Sequence, residues 1–323
     1  MTSTAKSLNS SEREQEAVRL ARRARIRKLA YYIADYGLMT LLAAFFIFPI
    51  VVMLVASVKP ERIVTDDLDT INAFVPRQFT FENYSCPDYR EDASDCSGNP
   101  GVFERQPFGH FLFNSVFTTS VTVICGLFVN SMAAFALSRL RWRGRGVVLG
   151  VIVALIIIPF ESIAVPLLLL VNRLPWFDGR TSWINSYHVQ IIPFVADAFS
   201  IFLFYQFFIG IPKDFDEAAR VDGASGFMIY WRIILPLARP VFATVAILQF
   251  LFLWGAFLWP LMTIQKPEFR PLQVAMQEFF GQAPIQWGDI MAFASMITVP
   301  VLIVFLMFQK WFIQSVASSG VKG

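Results

Sequence analysis

Residues 212–236 read PKDFDEAARVDGASGFMIYWRIILP. This charged stretch interrupts a chain that is otherwise mostly apolar. It holds a spaced pattern: Glu217-Ala218-Ala219, three residues, Gly223, nine residues, then Ile233, Leu235 and Pro236. Pro212 opens a helix, because its missing N–H is not needed in a first turn. Asp214, Asp216 and Glu217 crowd that turn, where negative charge suits the helix dipole. Phe215, Ala218, Ala219 and Asp222 then fall on neighbouring faces, and the two alanines leave a shallow surface that another protein could approach closely. Gly223 stops the helix, since it tolerates a left-handed backbone. A second helical stretch runs from Phe227 to Ile234, and Pro236 ends it. The expectation is a short helix, a sharp turn and another helix, lying parallel to a membrane and able to pass a push to its spans. Generic patterning alone fits an amphipathic connector equally well.

The flanking sequence supplies the membrane. Apolar residues make up 56% of the 323 and charged residues 16%, against about 25% charged in globular domains. Six stretches approach the roughly 20 apolar residues that a crossing helix needs: about 35–57, 111–138, 147–171, 189–211, 241–263 and 291–313. Pro49, Pro159, Pro166, Pro193, Pro260 and Pro300 lie within or near their ends, as kinks around a pathway or as ordinary packing irregularity. With the amino terminus inside, 18 of the 27 Lys and Arg fall on inside segments and 9 on outside ones, so the positive-inside rule puts both ends and 212–236 in the cytoplasm. The organisation expected is a basic tail over 1–30 and a six-span domain over 31–323, with an outer loop at 58–110. The tail reads either as a helix near the inner leaflet, held by anionic lipid, or as a solvated disordered segment. The outer loop, rich in Pro, Gly, Asp and Asn, reads as loop and turns.

Several function classes drop out. A net charge of +3 gives no argument for nucleic acid, and no G-x-x-x-x-G-K-[ST] stretch supplies a P-loop. His110 and His188 have no neighbour at metal-ligand spacing. Cys125, in an apolar run, reads as a buried small hydrophobe. Cys86 and Cys96 bracket a polar outer segment and are compatible with a disulfide in an oxidising compartment or with two free thiols.

The pattern at 217–236 resembles the signature of membrane subunits of binding-protein-dependent ABC importers, and other motifs narrow the resemblance to maltose-type sugar permeases. Asn114-Ser115 opens the second span, which closes as Ala133 to Arg139. Ile158-Pro159 and Pro166-Leu167 mark the third, Ile211-Pro212 leads into the signature, Gln286-Trp287-Gly288-Asp289 precedes the sixth, and the chain finishes Gly320 to Gly323. The resemblance implies an all-α membrane protein of the type I importer permease fold, in the inner membrane, translocating a sugar such as an oligosaccharide or α-glucoside. A glycerol 3-phosphate or polyol permease of the same class is the alternative. It implies a second, non-identical permease, an ATPase dimer that binds ATP and Mg, and an extracytoplasmic sugar-binding protein. By motif, Glu217, Ala218, Ala219, Asp222 and Gly223 would form a coupling helix in an ATPase cleft, and the tail 318–323 would reach the ATPase dimer. The loop 266–289, turning at Gly281, Gln282 and Pro284, would enter the binding protein's cleft.

One departure stands out. Where many relatives carry Asn and an acid after the tryptophan of the fifth span, this chain has Gly255 and Ala256. Fewer polar groups then meet substrate, and Trp254, Phe257 or Trp259 are left either to stack on a sugar or simply to pack. Glu161 and Asp197 sit in or near apolar runs, where ionisable groups suggest function. They are too few for a proton relay, and the expectation is an outer mouth or a polar neighbour in the sister subunit. An ion-coupled transporter or a membrane enzyme would need clustered polar groups that the sequence does not offer.

Overall fold

The computed structural model describes residues 10–67, 70–86, 101–179, 181–281 and 285–320. Among them the regular structure is helical throughout. The first helix, α1 (Ser10–Ser57), has 48 residues and at 1.5 Å per residue spans about 72 Å, more than twice a hydrocarbon core of roughly 30 Å. Over 10–30 the basic segment is helical and continues into the first span without a break. After α1, the described part of 58–107 is built rather than loose. It carries α2 (Glu61–Val64), a 3-10 turn at Ile71–Ala73 and α3 (Val102–Arg105). Buried Lys59 pairs with Asp67 at 3.1 Å and donates to the Asn72 carbonyl. Cys86 is buried and disulfide-bonded, while Cys96 lies outside the described residues.

The organising helix is α4 (Phe108–Arg139). Ser115, Thr118, Thr119, Thr122, Gly126, Asn130, Ser131 and Ala134 are all buried along it, a stripe at three- and four-residue spacing. In lipid, helices gain little from apolar contact with one another, so small residues that let backbones approach and polar groups that bond across do the joining. Cys125 is exposed instead, beside exposed Ile124 and Phe128. The stripe already occupies the inward face, and an apolar run in a membrane faces lipid as readily as core.

The third span is not one rod. α5 (Arg145–Ile157) and α6 (Phe160–Val171) meet at 106°. Ile158 has ψ 117°, out of the helical region, as Pro159 demands of the residue before it. The fourth span is also interrupted, between α7 (Tyr187–Val195) and α8 (Ala198–Ile209). Asn130 mends that gap from α4, donating to the Val195 carbonyl at 3.1 Å and accepting from the Asp197 N–H at 3.0 Å. The Asp197 carboxylate accepts from Ser200 N–H at 2.7 Å and caps α8. One of its oxygens thus serves its own backbone, while Glu161 lies exposed in the first turn of α6.

The connector contains α9 (Asp214–Val221) and α10 (Gly226–Ile229). The expected stop at Pro236 does not occur. A π turn over Tyr230–Ile234 shifts the hydrogen-bond register ahead of the proline, and α11 (Leu235–Leu237) carries on through it. The chain then turns 79° into α12 (Arg239–Trp254). The expected fifth span ends early, at Gly255, and resumes as α13 (Leu258–Thr263). The segment expected as a loop after it folds back as α14 (Leu272–Phe280), with Leu272, Val274, Ala275 and Phe279 buried. The last helix is α15 (Trp287–Gly320). Among the described residues four helices are long and apolar enough to cross a bilayer, or up to six spans if each bent pair counts as one.

Two large buried clusters lie at the two ends of the bundle. At the α9 end, Phe135, Phe204, Phe208, Tyr230 and Ile234 form one buried cluster. At the opposite end, Phe108, Phe111, Trp254, Phe279 and Phe293 form another.

Candidate functional site

The α9 element is held by one concentrated joint. Asp216 turns inward from the acidic first turn, and Arg139, the last residue of α4, donates from Nη1 to its Oδ2 at 3.1 Å. Both side chains are almost wholly buried. Arg139 Nη2 also donates to the carbonyls of Phe208 and Ile211, so one guanidinium ties α4, the end of α8 and α9. Asp216 Oδ1 and Arg139 Nε have no hydrogen-bond partner among the described residues.

With that face turned in, Glu217, Ala218, Asp222 and Gly223 are exposed. Ala219, expected with them, is buried in the cluster with Phe208 and Ile229, because it lies three residues beyond Asp216 on the inward face. Val221 is 88% exposed in its place, an apolar side chain left in the open. Gly223 has φ +81° with nothing within 4 Å of where a Cβ would sit, so its backbone conformation and not crowding asks for glycine. Ser225 caps α10, accepting from Met228 N–H at 3.3 Å. Tyr230 behind it shares a 2.8 Å hydrogen bond with Ser131 of α4.

The opposite end is fastened by many smaller contacts. Glu61 accepts from the backbone N–H groups of Trp287 and Gly288, which places a carboxylate on the N-terminus of α15. Arg105 pairs with fully buried Asp289 at 3.4 Å. Asn83 donates to the carbonyls of Ser57 and Lys59 at 2.9 and 2.7 Å and packs so tightly on Gly288 that a Cβ there would lie 2.7 Å from its Cγ. Asn114 donates to the carbonyls of Glu268 and Arg270 and accepts from the Tyr187 hydroxyl. Burial pushes the Arg270 guanidinium below the ordinary arginine value, and it pairs with Glu278. Gly281 is exposed at the end of α14, while Gln282 and Pro284 lie outside the described residues, as do the last three residues of the tail.

Between the ends lie two adjoining cavities. The smaller, about 40 Å³, is bordered by Trp254, Trp259, Thr118 and Gln190, room for about one water. Both tryptophans proposed as stacking groups are packed and committed: Trp254 Nε1 donates to the Ile297 carbonyl and Trp259 Nε1 to that of Val189 at 2.9 Å. Phe257 is 39% exposed and borders neither cavity. The larger cavity, about 330 Å³, shares Phe194 and Leu253 with the first and is bordered by Asp197, Ser200 and Gln249. Sequence reasoning did not single out Gln249, although a lone amide in the apolar run 241–254 was its signal, nor Arg139 as the partner of Asp216.

This architecture is that of a type I ABC importer permease. It matches the crystal structure of a bacterial ABC transporter involved in the import of the acidic polysaccharide alginate with a TM-score of 0.71 at 23% identity, over 88% of this chain and 98% of that one. Residues 123–318 match the family described as binding-protein-dependent transport system inner membrane component, and the chain belongs to that family. It is 30% identical to the arabinooligosaccharides transport system permease protein AraQ of Bacillus subtilis (strain 168), over 91% of this chain and 96% of that protein. It is 28% identical to the sn-glycerol-3-phosphate transport system permease protein UgpE of Yersinia enterocolitica, over 66% of this chain and 74% of that protein.

Proposed function

We propose that this chain is one of two non-identical membrane subunits of an ATP-driven importer, and that its cargo is an oligosaccharide such as an α-glucoside. The observation that carries the reading is the exposed lip of Glu217, Ala218, Val221, Asp222 and Gly223, fixed to α4 and α8 by the buried Arg139–Asp216 joint. An ATPase that seats this lip moves the ends of two spans with it. ATP and Mg bind on that ATPase, both termini and the lip face the cytoplasm, and the tail 318–323 reaches toward the ATPase dimer. A sugar-loaded binding protein docks at the opposite end, around Gly281, Gln282 and Pro284. Cys86 and Cys96 form the bridge that closes the outer segment. Nucleotide then biases two conformations of the permease pair through its different affinity for each. A glycerol 3-phosphate or polyol cargo is the second reading, favoured by the likeness to UgpE.

The test is purification of the assembled complex with its ATPase, followed by uptake into proteoliposomes driven by ATP in the presence of a proton uncoupler. Gly223→Val forces a left-handed conformation that costs about 1–2 kcal/mol for a residue bearing a Cβ. Expressed as mis-seating of the lip, that is roughly a tenfold loss of sugar moved per ATP hydrolysed. Glu217→Lys is expected to lower the same ratio with membrane insertion intact. Normal ratios in both variants would sink the proposal.

A further inference from the structure

The segment after α1 turns back toward the bilayer it has just left. The Lys59 ammonium is buried, pairs with Asp67 at 3.1 Å and donates to the Asn72 carbonyl, which draws the returning chain against the end of α1. Just beyond, the Phe74 ring meets Phe48 of α1, with centroids 5.2 Å apart. The depth of that contact follows from the sequence of α1. Asp35 is exposed, and a carboxylate facing hydrocarbon is expensive, so the immersed stretch begins after it. Residues 36–55 are 20 positions without a charge, about 30 Å at 1.5 Å per residue, which is the thickness of a hydrocarbon core. Phe48 lies seven residues before Val55, about 10 Å below that edge.

One face of the returning chain is uncovered. Phe74, Val75, Phe79 and Phe81 are all exposed, Val75 by 63%. Their levels differ. Thr80 N–H donates to the Val58 carbonyl at 2.8 Å and the Tyr84 hydroxyl to Ser57 Oγ at 2.8 Å, so Phe79 and Phe81 stand beside the end of α1. Their rings meet edge to face at 4.9 Å. Phe74 lies lower, on a side of α1 where Leu41, Phe45 and Phe48 follow one another at helical spacing, all exposed. The uncovered face therefore continues the apolar surface of a span. The backbone there is closed on itself: Ala73 N–H donates to the Thr70 carbonyl at 3.0 Å and Val75 N–H to that of Asn72 at 3.2 Å, as a chain away from water requires. Arg77, exposed between the two apolar pairs, has the reach to keep its charge among headgroups while its stem lies on apolar surface.

We propose that residues 74–81 are an apolar wedge seated in the leaflet on the side away from α9, with Phe74 and Val75 among acyl chains and Phe79 and Phe81 at the headgroup boundary. The wedge sets the height of the segment whose Glu61 and Asn83 hold the head of α15. The inference rests on α1 as a span and not on the cargo, so its failure leaves the importer reading standing.

The experiment places a nitroxide at Val75→Cys, Phe79→Cys or Asp66→Cys, each in a Cys125→Ser background, in the assembled complex freed of other reactive cysteines and reconstituted in phospholipid vesicles. Collisions with oxygen, which concentrates among acyl chains, are compared with collisions with a water-soluble nickel chelate. Phospholipids labelled along the acyl chain give the depth scale. The oxygen-to-nickel ratio at Val75→Cys is expected to be several-fold above that at exposed Asp66→Cys, with a depth of about 5–10 Å, as for elements buried at the headgroup and acyl boundary. Phe79→Cys is expected to be shallower. A Val75→Cys ratio equal to that of Asp66→Cys overturns the wedge, since water then covers this face. Few collisions of either kind at Val75→Cys also overturn it, since a protein surface such as the sister permease then covers it. A Phe79→Cys label as deep as Val75→Cys or deeper overturns the orientation assigned to it.

Discussion

The two ends of the bundle are attached in opposite ways. At the α9 end, one guanidinium joins three elements and one carboxylate answers it. At the opposite end, Glu61, Asn83, Arg105 and Asn114 each tie a different pair of segments. A concentrated joint lets a short helix be held by its inner face while its outer face stays free for something else. A distributed attachment fixes a surface in shape but leaves no single point whose loss releases it. The difference suits an end that must move as a unit and an end that must present a stable platform.

Breaking the concentrated joint from one side gives the largest effect. Arg139→Met strands Asp216 as a buried, unpaired charge at a cost of about 3–5 kcal/mol, read as a large fall in melting temperature of the purified complex. Replacing both partners with apolar residues removes the stranded charge, so Arg139→Met with Asp216→Leu is expected to recover most of the stability. If the double variant melts as low as the single one, the joint is not what holds α9.

At the other end the expected losses are smaller. Gly288→Ala drives a Cβ into Asn83, which two backbone hydrogen bonds keep from swinging aside. A cost of about 1–3 kcal/mol follows from overpacking, and adding Asn83→Ala should relieve it. Glu61→Gln removes the charge at the head of α15, worth about 0.3–1 kcal/mol, and one of the two oxygens that accept from Trp287 and Gly288. A shift of melting temperature as large as that of Arg139→Met would abolish the contrast between the two ends.

Much of the α9 element was legible because charge and glycine stand out in an apolar chain. Gly223 announced its positive φ through the helix stop it makes. The joint was not legible, since Asp216 and Arg139 are 77 residues apart and an arginine closing a span is ordinary on its own. Pro159 signalled a kink, but the angle depends on how α6 finds its neighbours. Asp197 drew attention as an acid in an apolar run, yet its role as a cap needed the break at Ala196. The residues of α14 carry helical spacing in Leu272, Ala275 and Phe279, which was overlooked because they fall between two spans. Trp254 and Trp259 looked available because a sequence does not reveal that their N–H groups are taken by carbonyls of α15 and α7.

The turn at Ile158-Pro159 separates the birth of this chain from its final form. Insertion weighs the apolarity of a segment rather than its direction, so 147–171 reads as one greasy passage for the nascent polypeptide. Neither 13-residue α5 nor 12-residue α6 can cross a bilayer alone, at about 20 and 18 Å. The bend between them therefore belongs to a later stage, when α8 is in place to receive α5 and α13 to receive α6.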